Sequence, residues 1–266
     1  MSAALDPTTL RDALDAACSA AHAAADGPIL AGFRSPALRV ETKGDSSPVS
    51  EADKAAELVI REHLAARFPE IPVYGEEGGY DGPADSPLRW VVDPIDGTIA
   101  FIRGVPLFGT IVALEDTRTG ETLAGVIHLP CLGETYAAAL GQGCTCNGDP
   151  VRITDGSSSG PRLLSMGDRA WFEEAGVSEA HDTLASTTPF LRGYTDCFGH
   201  AMVLRGAVSV MVDPGLAAWD LAATRVLVPE AGGRLWTRPS ALEGKIDAVL
   251  GSDAAVGEIL STLGWS

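Results

Sequence analysis

Trp90-Val91-Val92-Asp93-Pro94-Ile95-Asp96-Gly97-Thr98 is the stretch from which the rest of the chain is read. Three hydrophobic residues stop at two carboxylates set three positions apart, with a proline between them and Gly-Thr behind. Val91 and Val92 read as the end of a buried strand, Pro94 and Gly97 as the turn that follows. The acids then sit at a strand's C-terminal tip, where α/β proteins commonly build their sites. Two carboxylates packed into one turn repel each other unless they share a cation, so the stretch points to metal. A turn in which both aspartates bond to their own backbone is the competing reading. The strand feeding straight into the pair weighs against it.

Outward from this run, short hydrophobic segments follow at 108–114, 123–127 and 135–140, separated by turn residues, and predict a mainly antiparallel sheet. Upstream, Asp6-Pro7 opens a helical pattern through Leu10, Ala13, Leu14, Ala17 and Ala21, with Gly27-Pro28 as a break or kink. A second helix begins at Ser50-x-x-Asp53, which resembles a capping box, and runs to about Phe68. Gly156-Ser157-Ser158-Ser159-Gly160 is the candidate boundary. Beyond it strands at 163–166, 208–212, 234–236 and 248–250 alternate with helices at 200–205, 221–231 and 254–263. The reading is an α+β half over 1–155 and an α/β half over 156–266.

The 266 residues are enough for one large core or two modest ones, and 45% hydrophobic with 21% charged is ordinary for a globular protein. A formal net charge of −17 excludes the basic field that nucleic acids or anionic membranes require. An acidic enzyme acting on an anion needs cations to bridge the two. No apolar run approaches the roughly 18 residues of a membrane span, and the acidic N-terminus lacks a secretory n-region, so the expected compartment is the cytoplasm. Five cysteines do not suggest a disulfide framework, and Cys144-x-Cys146 lacks the second pair that a zinc site needs.

Further carboxylates complete the candidate set. Glu76 follows a strand-like 71–74 segment and would lie at the same sheet edge as Asp93, whereas Glu77 reads as a surface turn. Asp220 stands before an apolar helix, where an N-cap and a metal ligand are equally compatible with it. All are hard oxygen donors, which suits Mg²⁺ or Mn²⁺ rather than zinc or copper. Four carboxylates balance two divalent ions, an arrangement that can activate water and stabilise a departing oxygen. A turn or helix starting at Gly97-Thr98 offers N–H groups to a phosphate, and Thr98 a hydroxyl to orient the attacking water. The residues therefore predict metal-assisted hydrolysis of a phosphate ester.

At this point the chain resembles the inositol monophosphatase superfamily, and within it the histidinol-phosphate phosphatases, over nearly its whole length. The resemblance is carried by Ser47-Pro48-Val49-Ser50-Glu51-Ala52-Asp53-Lys54-Ala55-Ala56-Glu57, by Gly75-Glu76-Glu77, by the Trp90 to Thr98 run, and by Trp219-Asp220 followed by Glu230-Ala231-Gly232-Gly233. It implies a layered α-β-α-β-α sandwich and a Mg²⁺-dependent, lithium-sensitive phosphatase, usually a homodimer. By the same resemblance Glu76, Asp93 and the Ile95 carbonyl hold one ion, and Asp93, Asp96 and Asp220 the second. Thr98 and Glu76 position water, Asp53 supports Thr98 and a third ion, and the Gly97 and Thr98 N–H groups receive phosphate. Lys43 lies where relatives often carry a basic residue near the metals. Ile99-Ala100-Phe101 departs from the polar Thr/Lys-Asn-Phe of many relatives, which leaves polar support of the phosphate turn open.

Substrate choice points to Tyr194-Thr195-Asp196-Cys197-Phe198 and to Asp213. Inositol phosphatases typically carry Gly-Ser/Thr-Ala at the first place; Asp196 resembles the histidinol branch, and an added carboxylate suits a cationic amine. Helix capping is the alternative for Asp196, and a turn for Asp213. Arg103-Gly104-Val105-Pro106 also resembles the histidinol branch, and His200 is either packed or in contact with an imidazole. The expected reaction is hydrolysis of L-histidinol phosphate in histidine biosynthesis. An inositol-1-phosphate phosphatase of broad specificity and a non-catalytic metal-binding regulator are the alternatives.

Overall fold

The computed structural model describes residues 6–42, 48–83, 85–154 and 161–265; Lys43 and the expected boundary at 156–160 lie outside them. Strands and helices stack in five layers. The outermost helices are α1 (Pro7–Ala24), which a kink at Gly27 joins to the single turn α2 (Leu30–Gly32), and α3 (Glu51–Arg67). Asp6 caps α1 by accepting the Thr8 and Thr9 N–H groups, and Ser50 and Asp53 form a reciprocal capping box on α3, as its sequence predicts. A small hairpin, β1 (Val40–Thr42) with β2 (Pro48–Ser50), precedes α3.

The large sheet is built from β3 (Val73–Gly75), β4 (Gly79–Asp81), β5 (Leu88–Asp96), β6 (Gly109–Asp116), β7 (Glu121–Leu129), β8 (Glu134–Ala139), β9 (Cys144–Cys146) and β10 (Asp149–Pro150). Its order is β10-β9-β8-β7-β6-β5-β3-β4, antiparallel throughout except for the β3–β5 pair. The short α4 (Thr98–Ile102) follows β5. A second, mixed sheet has the order β12-β11-β13-β15-β14, from β11 (Leu164–Met166), β12 (Leu191–Arg192), β13 (Val210–Leu216), β14 (Arg234–Pro239) and β15 (Ile246–Gly251). Its helices are α5 (Arg169–Glu174), α6 (Ser178–Thr187), α7 (Asp196–Leu204), α8 (Thr224–Glu230) and α9 (Asp253–Leu263).

Strand periodicity produces the layers. Trp90, Val92, Val112, Leu114 and Val126 bury one face of the large sheet against the alanine stripe of α1 and the Ala56, Ile60 and Leu64 face of α3. Their neighbours Val91, Ile111, Ala113 and Ile127 face the other way, onto Phe198 and Met202 of α7 and Val226 and Leu227 of α8. Met211 and Leu250 bring the second sheet into that same middle layer, and its far face packs on Phe172, Leu184, Val256 and Ile259 from α5, α6 and α9. The order is helix, sheet, helix, sheet, helix: the α-β-α-β-α sandwich. Every anticipated strand is present within a few residues, but α5 and α6 fall in a stretch where no element was expected.

One local departure shapes the site. Pro94-Ile95-Asp96 does not turn away after Val92; β5 continues through it. The pairing Asp93↔Ile111 is followed by Asp96↔Gly109, so β5 carries one more residue than β6 between these points. Proline, which has no N–H to donate, is tolerated at such a bulge, and the Pro94 carbonyl instead accepts the Thr110 hydroxyl at 2.9 Å.

Candidate active site

In a regular strand, residues three apart point to opposite faces. The bulge cancels that alternation. Asp93 and Asp96 pair with Ile111 and Gly109, two residues apart on β6, and therefore share the face that looks onto α7. A Cβ built on Gly109 would come within 2.7 Å of Cys197 Sγ, so only glycine lets α7 approach this closely. From the other side, the chain after β13 delivers Asp220. Carboxylate oxygens of Asp93, Asp96 and Asp220 all lie within 4.8 Å of one another. Glu76, outside that group of three, is brought beside Asp93 by the parallel pairing of β3 with β5: Gly75 sits opposite Val92, and the Glu76 N–H donates to the Val92 carbonyl at 3.1 Å.

These acids raise one another's proton affinity. Burial pushes Asp93 well above the ordinary carboxylate range, and the charges of Glu76, Asp96 and Asp220 push it further. Asp96 is likewise held high, by burial first and then by Asp196 and Asp220, although the Cys197 N–H donates to its Oδ2. Burial also raises Asp220, against the opposing effects of the Ala217 N–H at 2.7 Å and of Lys245. Asp93 Oδ1 is buried with no hydrogen-bond partner. A buried, unsatisfied acceptor among converging carboxylates fits a hard divalent cation and is costly without one.

Asp53, buried at the start of α3, lies beneath α4. Thr98 Oγ1 is 3.4 Å from its Oδ1 and donates to the Ile95 carbonyl at 3.0 Å. Burial raises Asp53 and the Ser50 hydrogen bonds partly offset it. Gly97 adopts φ +88° at the N-cap of α4, and a Cβ there would be 3.1 Å from the Leu107 carbonyl oxygen. The first N–H groups of α4 have no intrahelical acceptor. Ile99 is exposed, while Phe101 is buried in edge-to-face contact with Phe108. Ile99 thus sits on the solvent side of α4, with Phe101 anchoring the turn.

The structure decides four alternatives that the sequence left open. Asp220 is not an N-cap: α8 starts four residues later, at Thr224, and the carboxylate instead closes a turn back onto Ala217. Capping also fails for Asp196, because α7 has no side-chain cap. Asp196 adopts φ +58°, a conformation uncommon for a non-glycine residue, and accepts the Thr195 hydroxyl at 2.9 Å. Burial and Asp213 push its carboxyl up to about 6. His200 makes no outward contact; it is almost fully buried, with Nε2 3.3 Å from Asp213 Oδ2 and Nδ1 2.9 Å from Thr224 Oγ1. Asp213 itself lies in β13 rather than in a turn. Arg103 is exposed at the C-cap of α4.

Glu57 was quoted in the sequence only as part of a motif, and its work emerges from the fold. Buried on α3, it accepts the Glu77 and Gly78 N–H groups at 2.8 and 2.9 Å and Arg61 Nε at 2.8 Å. Arg61 reaches on to the Gly79 carbonyl at 2.7 Å. This clamp fixes the turn that presents Glu76. Its sequence trace is the i,i+4 pair Glu57/Arg61 facing a Gly-Glu-Glu-Gly-Gly turn.

The chain resembles known proteins over most of its length. The sequence model described as "Inositol monophosphatase family" matches residues 10–248. A histidinol-phosphatase of Chlorobaculum parvum is 39% identical over 196 residues, 74% of each chain. An inositol-1-monophosphatase of Mesorhizobium japonicum is 34% identical over 203 residues, again 74% of each. Among solved structures, an inositol monophosphatase from Zymomonas mobilis superimposes with a TM-score of 0.79 at 29% identity, covering 96% of this chain and 98% of that one.

Proposed function

The chain belongs to the inositol monophosphatase family and is a phosphatase of small phosphate monoesters; from that premise we propose that it hydrolyses L-histidinol phosphate to L-histidinol and phosphate. The observation that carries this choice is Asp196. It adds a carboxylate beside Asp96, its charge felt there, on the rim where the leaving alcohol of the ester would emerge. An anionic rim favours an alcohol bearing an ammonium group over a neutral polyol. Relatives named histidinol-phosphatase at 35–39% identity support the same choice.

In this reading Glu76, Asp93, Asp96, Asp220 and the Ile95 carbonyl hold Mg²⁺, two or three ions per site, with Mn²⁺ as a substitute. Bound there, the ions supply positive charge that activates a water and neutralises the departing oxygen. Thr98 Oγ1 and Glu76 orient that water, and Asp53 holds the Thr98 hydroxyl. The N–H groups of Gly97 and Thr98 receive the phosphoryl oxygens. Asp196 and Asp213 receive the amine end. The enzyme works in this account as a cytoplasmic homodimer, without nucleic-acid or membrane partners.

Turnover of a panel of phosphomonoesters with Mg²⁺ tests the proposal. Histidinol phosphate should be preferred over inositol-1-phosphate; equal or better turnover of the inositol ester overturns the substrate assignment. Asp196→Ala should weaken histidinol phosphate much more than a neutral-alcohol ester, and equal losses would return Asp196 to a structural role.

A further inference from the structure

Behind the rim lies a buried polar relay that the metal and phosphate chemistry does not use. Asp213 on β13, His200 on α7 and Thr224 at the start of α8 are each almost fully enclosed, and His200 bridges the other two through both ring nitrogens. His200 stands four residues after Asp196 on α7, and the charge of Asp213 is felt at Asp196. Among the described residues, His200 is the only side chain within hydrogen-bond distance of Asp213.

The Asp213 carboxylate sets the hydrogen pattern at Nε2. An ionised Asp213 can only accept, so Nε2 must carry a hydrogen. In the neutral ring Nδ1 is then an acceptor, and the Thr224 hydroxyl is placed to donate to it. Asp213 thereby selects the tautomer, and the Thr224 hydroxyl, able to donate or accept, completes the hydrogen bonding of the ring from behind. With both nitrogens engaged and the ring enclosed, His200 cannot reach a substrate. It can set where the Asp213 carboxylate points.

We infer that His200, fixed from behind by Thr224, is a positioning residue that holds Asp213 alongside Asp196, so that the two carboxylates together receive the ammonium group of the leaving alcohol. This rests on the cationic-substrate reading above and extends it to two residues that touch no substrate atom. Two acceptors held at fixed separation bind an ammonium better than one mobile carboxylate, because their ordering is complete before the ligand arrives.

The test compares kcat/KM for histidinol phosphate with that for glycerol 2-phosphate, whose alcohol is neutral, in the Mg²⁺-loaded enzyme. His200→Leu should lower the ratio of the two by about tenfold or more, through KM for the cationic ester. His200→Gln, which keeps an N–H near the position of Nε2, should recover most of the ratio. Equal losses on both esters, or a glutamine variant no better than leucine, would reduce His200 to a packing residue and overturn the inference. Should His200→Leu fail to fold, Thr224→Val serves, since it removes only the hydroxyl. It should shift the ratio in the same direction by a smaller factor, and an unchanged ratio overturns the inference. A wild-type enzyme with no preference for the cationic ester defeats the substrate proposal itself, and that result is read before any variant is made.

Discussion

Glu57 and Asp93 are both carboxylates buried to within a few percent, joined through the same turn, and their surroundings are opposite. Glu57 is wrapped by two backbone N–H groups and the Arg61 guanidinium. Asp93 faces Glu76, Asp96 and Asp220, and one of its oxygens has no partner at all. Burial alone therefore does not mark a functional acid. What separates the two is whether the protein itself satisfies the charge: Glu57 is complete as folded, whereas Asp93 is left for something the chain does not contain.

The sharpest break of this contrast is Asp93→Asn. Activity should fall by roughly 10³-fold or more, because a ligand oxygen and its charge are both lost. The same variant should melt higher than wild type in EDTA at pH 8. The sign follows from the raised carboxyl: between its unfolded value near 3.8 and its higher folded value, the native state holds protons that the unfolded chain has released. Stability of the metal-free protein contributed by this group is complete below that window and is lost as pH rises through it. The advantage of asparagine should therefore vanish near pH 4 and shrink when Mg²⁺ is added at pH 8. A variant that melts lower than wild type at pH 8 would make Asp93 a structural acid like Glu57.

Glu57→Leu should do the reverse. Leaving Arg61 and two turn N–H groups unpaired costs about 3–5 kcal/mol of stability, measured by urea unfolding. Mg²⁺ affinity should weaken secondarily as the turn bearing Glu76 loosens. A stable variant with intact affinity would remove the clamp from the account.

A third buried group, His128, is expected to give the smallest change. His128 on β7 stands edge-to-face to His22 of α1 at 4.6 Å and lies 2.9 Å from Thr135 Oγ1. Burial, then His22, lowers its pKa to about 4. Between pH 4 and 6.5 the unfolded chain takes up a proton that the native state refuses. The stability this group contributes is complete above 6.5 and falls away towards pH 4, by at most about 3 kcal/mol. In melts from pH 4 to 7, His128→Gln should flatten this acid limb while leaving the Mg²⁺ response of the site unchanged. An acid limb as steep as in wild type would place the loss elsewhere.

Much of this could be read along the chain. The Asp6 cap, the Ser50/Asp53 capping box, the Gly27-Pro28 kink and the alternation of β5 to β8 are short-range features, each set by residues within a few positions of one another. The donor types of the site were legible too, because a strand ending in Asp-Pro-Ile-Asp-Gly-Thr is an unusual place to concentrate charge. Stretches with weaker signals were missed: α5 and α6 are short, and each buries only one or two side chains, Phe172 from α5 and Ala180 and Leu184 from α6.

By itself, then, the sequence determined which oxygens were available, which segments were strands or helices, and which family pattern they follow. Only the tertiary structure decided that a single extra residue in β5 turns Asp93 and Asp96 to one face, that Asp220 closes the cluster from the far half of the chain, and that Glu57 and His200 hold others in place. The reason is physical. Propensity and periodicity act over a few residues, whereas bringing like charges together against their repulsion requires the packing of distant layers, and no local pattern encodes that.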